Sequence, residues 1–156
     1  MKYIVIGISM LLFTAIAQGQ TVDVKDNKIL VDGKEFAMIE ELGCGFWDPG
    51  CTYYIRNSKG KTLIIIVRRS FENTFYLRFS FSGGKGIAET PFPALNPKVK
   101  DIAQMIVKTN LIKDDELNED EIQNFVQAHG TFYSDIAKSL NRQNKNKQKE
   151  KEKEKQ

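Results

Sequence analysis

Cys44 and Cys51 are the residues whose type and spacing say most about chemistry. They lie in Gly43-Cys-Gly-Phe-Trp-Asp-Pro-Gly-Cys51, where Pro49-Gly50 can turn the chain back and bring the two Cα atoms to the ~5.5 Å typical of a disulfide. Two cysteines in an exported chain are expected to pair. Closing so short a loop contributes only about 2–3 kcal/mol in the chain-entropy picture, so the bond would shape the loop rather than hold the fold. Thiol–disulfide catalysis would ask for Cys-X-X-Cys at a helix start, a spacing this chain lacks. A zinc site takes about four ligands and the chain has one histidine. No metal or cofactor is expected.

Inside the loop stand Phe46, the only tryptophan, Trp47, and Asp48. Aromatic side chains on a constrained loop can anchor a partner or stack on a sugar ring; the plainer alternative is a lid folded back over the sheet edge. Arg68, Arg69 and Arg78 lie near the ends or outer faces of two strand-like segments and could receive an anionic ligand, unless they pair with Glu40, Glu41 or Glu72. Phe46, Trp47, Asp48, Arg68 and Arg78 are the candidate binding residues.

Candidate catalysts are few. His129 is the sole imidazole, so any Ser-His-Asp or Cys-His arrangement depends on it. It falls on the apolar stripe of a C-terminal helix, where a buried, hydrogen-bonded histidine is the ordinary expectation. A hydrolase built on carboxylates such as Glu40, Glu41 or Asp48 would need two of them ~5–9 Å apart across a cleft. The acidic run Asp114-Asp-Glu-Leu-Asn-Glu-Asp-Glu121 lacks the central glycine and ligand spacing of a calcium loop. The Gly83-Gly84-Lys85-Gly86 segment departs from the phosphate-loop pattern. No catalytic residue is assigned.

The elements that would position these residues change period halfway along. Thr21–Lys25, Lys28–Val31, Glu35–Glu40, Thr52–Arg56, Thr62–Val67 and Thr74–Phe81 read as strands, with Asp26-Asn27 and Asp32-Gly33 as turns. Thr62–Val67 is apolar on both faces, as for a central strand. Phe75, Leu77, Phe79 and Phe81 share one face of the next strand, and Tyr76 and Arg78 the other. After Ser82–Gly86 the prolines at 91, 93 and 97 predict an irregular segment. Val99, Ile102, Ala103, Ile106 and Val107 then mark a helix that Asn110 ends. A second helix begins behind Asp115 or Asn118, with Glu119, Asp120 and Glu121 at its positive end. Ile122, Phe125, Val126, His129, Tyr133, Ile136 and Leu140 keep helical spacing through Gly130, which predicts one helix kinked there, or two with Thr131 capping the second. The fold class is α+β: an antiparallel β-sheet meander of about five to six strands over residues 21–81, followed by two or three helices packed on one face.

Residues 1–19 read as a secretory signal peptide. Lys2 precedes 15 uncharged residues, Tyr3 to Ala17, short of the ~20 needed to span a bilayer. Ala15-Ile16-Ala17 or Ala17-Gln18-Gly19 then supplies the small residues of a cleavage site, for a mature start at Gln18 or Gln20. No cysteine ends the apolar stretch, which argues against a lipoprotein. Residues 20–141 form one domain, and 142–156 a Lys/Glu-rich tail without hydrophobic residues, expected to be disordered or a frayed helix.

Charge narrows the partners. The chain carries 23 Lys/Arg and 20 Asp/Glu. Seven basic and three acidic residues lie from Arg142 onward and one Lys in the leader, which leaves the body 15 and 17, a net of −2. A nucleic-acid-binding domain concentrates positive charge on its folded surface, so nucleic acid is not an expected partner. The tail can contact anionic surfaces, although its alternating Glu halves the field. The expected function is a small exported, periplasmic or secreted, non-enzymatic domain that binds a protein or envelope component through the Cys44–Cys51 loop. The alternatives are a carboxylate hydrolase and an inhibitor or immunity-type partner.

Overall fold

The computed structural model describes residues 20–44, 50–92 and 97–153. The signal-peptide reading of residues 1–19 therefore concerns residues outside those described.

Six antiparallel strands fill the region expected to be sheet: β1 (Val22–Lys25), β2 (Lys28–Val31), β3 (Lys34–Leu42), β4 (Thr52–Arg56), β5 (Thr62–Phe71) and β6 (Thr74–Phe81). A seventh, β7 (Ile87–Pro91), follows a short 3-10 turn at Ser82–Gly84, and each strand pairs with its sequence neighbour in the order β1 to β7. β7 arises where the prolines pointed to an irregular segment. It is an edge strand with Pro91 as its last residue, the place where a missing N–H costs no ladder bond.

Register divides the side chains between the two faces. One face carries the rows Ile39, Ile55, Ile64, Phe81 and Glu41, Tyr53, Ile66, Phe79, Ala88. Apart from Glu41 these residues are buried. A bulge between Ile55 and Arg56 turns both Leu63 and Ile64 inward, each fully buried. Helices α1 (Val99–Lys108) and α2 (Glu119–His129) cover this face, with Ile102, Ala103, Ile106, Ile122 and Phe125 joining the core. Phe125 meets Phe79 and Phe81 edge-on, ring centroids 5.1 and 6.2 Å apart. Gly86 gives α2 its close approach: its φ is +124°, and a Cβ there would stand 3.0 Å from a Val126 methyl. Between the helices a two-stranded hairpin, β8 (Ile112–Lys113) and β9 (Glu116–Leu117), turns at Asp114-Asp115.

At Gly130 the helical spacing is interrupted. Its φ of 56° and ψ of −153° are not helical, and its carbonyl accepts the Glu89 N–H at 2.8 Å. The chain thus passes the outer edge of β7 before α3 (Phe132–Lys153) begins. Two helices, the second following Thr131, replace a single kinked one. α3 then meets the sheet's other face, where Tyr133 stacks on Tyr76 at 4.5 Å. The Lys/Glu-rich segment, expected to be disordered or a frayed helix, continues α3 as helix to Lys153, and its residues are exposed from Asn141 to Lys147. Lys and Gln favour helix intrinsically, but between Asn141 and Lys147 they bury nothing.

Candidate functional site

Cys44 and Cys51 form a disulfide, Cα atoms 4.3 Å apart, joining the end of β3 to the start of β4. Cys51 is buried and its carbonyl accepts the Arg68 N–H at 2.8 Å, so the loop is tied to β5 as well. Phe46, Trp47 and Asp48 lie outside the described residues.

Arg68 and Arg78 are not brought together. Arg68 is opposite Leu77, and Arg78 opposite Val67, so the two guanidinium groups leave opposite faces. Arg68, expected near a strand end or on an outer face, lies toward the end of β5 and is 6% exposed on the helix-covered face, its guanidinium 6.0 Å from the Phe75 ring centroid. Beside it stands Tyr53, whose hydroxyl donates to the Pro97 carbonyl at 2.6 Å and anchors the entry to α1. Burial, reinforced by the negative charge of Glu41, pushes the Tyr53 phenol up to about 12 despite the opposing Arg68.

Arg78 does pair, though not with the carboxylates its sequence neighbourhood offered. Its Nη1 donates to Glu89 Oε1 at 3.1 Å and to Ser134 Oγ at 2.6 Å. Glu89, fully buried at its carboxylate, also accepts the Ser134 backbone N–H at 3.0 Å and the Ser134 hydroxyl. This cluster fastens the first turn of α3 to β6 and β7. Arg69 is exposed and shares the face of Arg78.

The carboxylates of the hydrolase alternative are dispersed. Glu40 is opposite Tyr54 and binds Arg56 at 3.0 Å, whereas Glu41 is opposite Tyr53 on the other face. The acidic run is engaged by the fold: Asp115 accepts Ser58 N and Oγ at 2.8 and 2.7 Å, and those hydrogen bonds, the hydroxyl's first, lower its pKa. Glu116 pairs with Lys61 and Glu119 with Lys85. The Lys85 pairing lowers the pKa of Glu119. Among the described residues no cluster of His, Cys, Asp or Glu could hold a metal ion. His129, expected to be buried, is exposed at the end of α2, its ring tilted against Phe125 with centroids 4.5 Å apart. Helix α2 stops there, so the apolar stripe no longer covers it.

The chain matches no family model, no curated protein and no solved structure. Its own surface must carry the functional reading.

Of the candidate binding residues placed by the structure, Arg78 alone lies on the sheet face opposite α1 and α2. Two cross-sheet rows lie on it: Glu40, Tyr54, Ile65, Ser80, Ile87 and Leu42, Thr52, Val67, Arg78, Glu89. α3 meets it through Tyr133 and Ser134, toward the β6–β7 side. Tyr54, Ile65 and Val67 remain half-buried, and Leu42, two residues before Cys44, is 60% exposed. Alternation along Thr52–Arg56 holds the signal, since it sends Tyr53 and Tyr54 to opposite faces.

Proposed function

We propose that this protein is a small exported, non-enzymatic domain that binds a partner protein or envelope component with the open sheet face and the adjoining Cys44–Cys51 loop. The observation that carries the proposal is Leu42: a large apolar side chain, 60% exposed, in one row with Val67 and beside a disulfide. Single exposed leucines are common, but a patch continued by Tyr54, Ile65 and Val67 and rimmed by the Glu40–Arg56 pair has the composition of an interface centre with a polar rim. A bond that contributes little to the fold yet fixes the chain next to that patch lowers the ordering cost of binding. Export rests on the leader-like residues 1–19 and on a disulfide of the kind oxidising compartments maintain.

Photo-crosslinking in the native cells tests this reading. With benzoylphenylalanine in place of Leu42 or Val67, one adduct of defined mass is expected from the envelope or medium fraction. The same group at Gln123, exposed on α2, should give none. The uncrosslinked protein from those fractions should begin at Gln18 or Gln20 and resist alkylation until reduced. Equal labelling from all three positions, or a chain with its leader intact and both thiols alkylated, would overturn the assignment. A stable stoichiometric complex with an enzyme would point to the inhibitor alternative.

A further inference from the structure

The helix-covered side of the sheet has an opening of its own. Between α1 and α2, over the edge strand β7, lies a cleft of about 520 Å³ lined by Thr90, Pro91, Met105, Lys108, Phe125 and His129, among others. That volume falls within the ~300–1,000 Å³ of small-molecule sites. Two features distinguish it from an incidental groove. Thr90 lines its strand side and is 7% exposed, yet its Oγ1 finds no hydrogen-bond partner among the described residues. Buried hydroxyls are ordinarily satisfied; this one, closed to solvent at the cleft's strand side, has a hydrogen bond left to make. Lys108, in the last turn of α1, belongs to none of the ion pairs among the described residues, and no Asp or Glu lines the cleft.

We propose that this cleft binds a small monocarboxylate with an aromatic or medium-length aliphatic body. Met105, Pro91 and the tilted Phe125 and His129 rings, centroids 4.5 Å apart, offer the body apolar walls. Lys108 meets the carboxylate and the Thr90 hydroxyl donates to it. The C-termini of α1 and α2 also face this region, and each brings about half a negative charge. Their last carbonyls are partly occupied: Met105 O accepts Thr109 N and Oγ1, and Val126 O accepts Gly130 N. Together the two ends would about match the single positive charge of Lys108, and these hydrogen bonds reduce what they project into the cleft. Because the cleft lies on the face opposite Leu42, this site is independent of the partner-binding proposal.

The test is an amide-shift titration of the 15N-labelled protein with 2-naphthoate, decanoate and the uncharged 2-naphthalenemethanol. Expected is saturable one-to-one binding of at least one carboxylate, with shifts centred on Thr90, Lys108, Phe125 and His129. The alcohol should bind about tenfold more weakly, since the charge-assisted contact is lost. Lys108→Glu, at an exposed position, should weaken the carboxylate about tenfold or more and leave the alcohol within about twofold. Thr90→Val, nearly isosteric and free of the unpartnered hydroxyl, should stay folded and also weaken the carboxylate. Absence of saturable shifts with both carboxylates, shifts centred elsewhere, or indifference of carboxylate binding to Lys108→Glu would overturn the proposal.

Discussion

Tyr53 concentrates what single residues do here. Its ring is 1% exposed in the middle of a core row, its hydroxyl anchors Pro97, and its pKa stands at about 12 against an ordinary 10.0. The sign follows from linkage: a group whose folded pKa is raised stabilises the fold while it stays protonated, and that stability is complete below the unfolded value. Between about pH 10 and 12 the unfolded chain loses this proton first, so stability falls as pH rises through that window. Tyr53→Phe should cost about 1–2 kcal/mol at neutral pH by orphaning the Pro97 carbonyl, and should flatten the alkaline decline. Urea midpoints of both proteins at pH 7 and at pH 11 measure the two effects; parallel declines would place the alkaline sensitivity elsewhere. The sequence put Tyr53 in a strand but left open which of Tyr53 and Tyr54 turned inward. The face of Arg68 was left undecided for a related reason. In a run apolar on both faces, alternation carries no phase, and the bulge at Ile55/Arg56 shifts the parity again.

The six strands over residues 21–81 and the α1 stripe were legible because turn chemistry and apolar period agreed there. β7 was not, because Glu89 and Thr90 do not look like core residues. Only tertiary partners make them so: Arg78 and Ser134 for Glu89, and for Thr90 burial under the helices. At Gly130 the sequence left one kinked helix and two helices both open, because the stripe keeps its period while changing its partner, from the Phe79 face before the glycine to the Tyr76 face after it. A prediction belongs to this junction. Glu89→Gln removes the charge that holds Arg78 and weakens the grip on Ser134. Breaking a wholly buried pair costs ~3–5 kcal/mol; the Arg78 side chain is 30% exposed, which brings the expected loss to about 2 kcal/mol. The loss should be local. Hydrogen exchange should quicken in the first turns of α3 while β4, β5 and β6 keep their protection. Uniform acceleration would mean that α3 docking and the sheet form one cooperative unit.

At the scale of the molecule, the question is what the disulfide adds to a sheet that is already continuous. Every strand pairs with its sequence neighbour, and the core of α1, α2 and the β3–β6 rows is built almost wholly from other side chains, although Cys51 is buried in it and Cys44 packs against it. Cys44 and Cys51 are seven residues apart, so the cross-link removes little entropy from the unfolded chain, about 2–3 kcal/mol. Cys44→Ser with Cys51→Ala, the second chosen because Cys51 is buried, should therefore fold with an unchanged circular dichroism spectrum and a urea midpoint lowered by about that amount. The β3–β4 connection, by contrast, loses its covalent clamp next to Leu42. Freed residues must be ordered again on binding, at roughly 1–2 kcal/mol of backbone entropy each. Affinity for a partner captured at Leu42 should then fall by about tenfold or more, beyond anything the stability change explains at temperatures where both proteins are folded. Full affinity in the double variant would leave the open sheet face as the whole interface. A variant that cannot fold would mean that the bond supports the sheet and not only the loop.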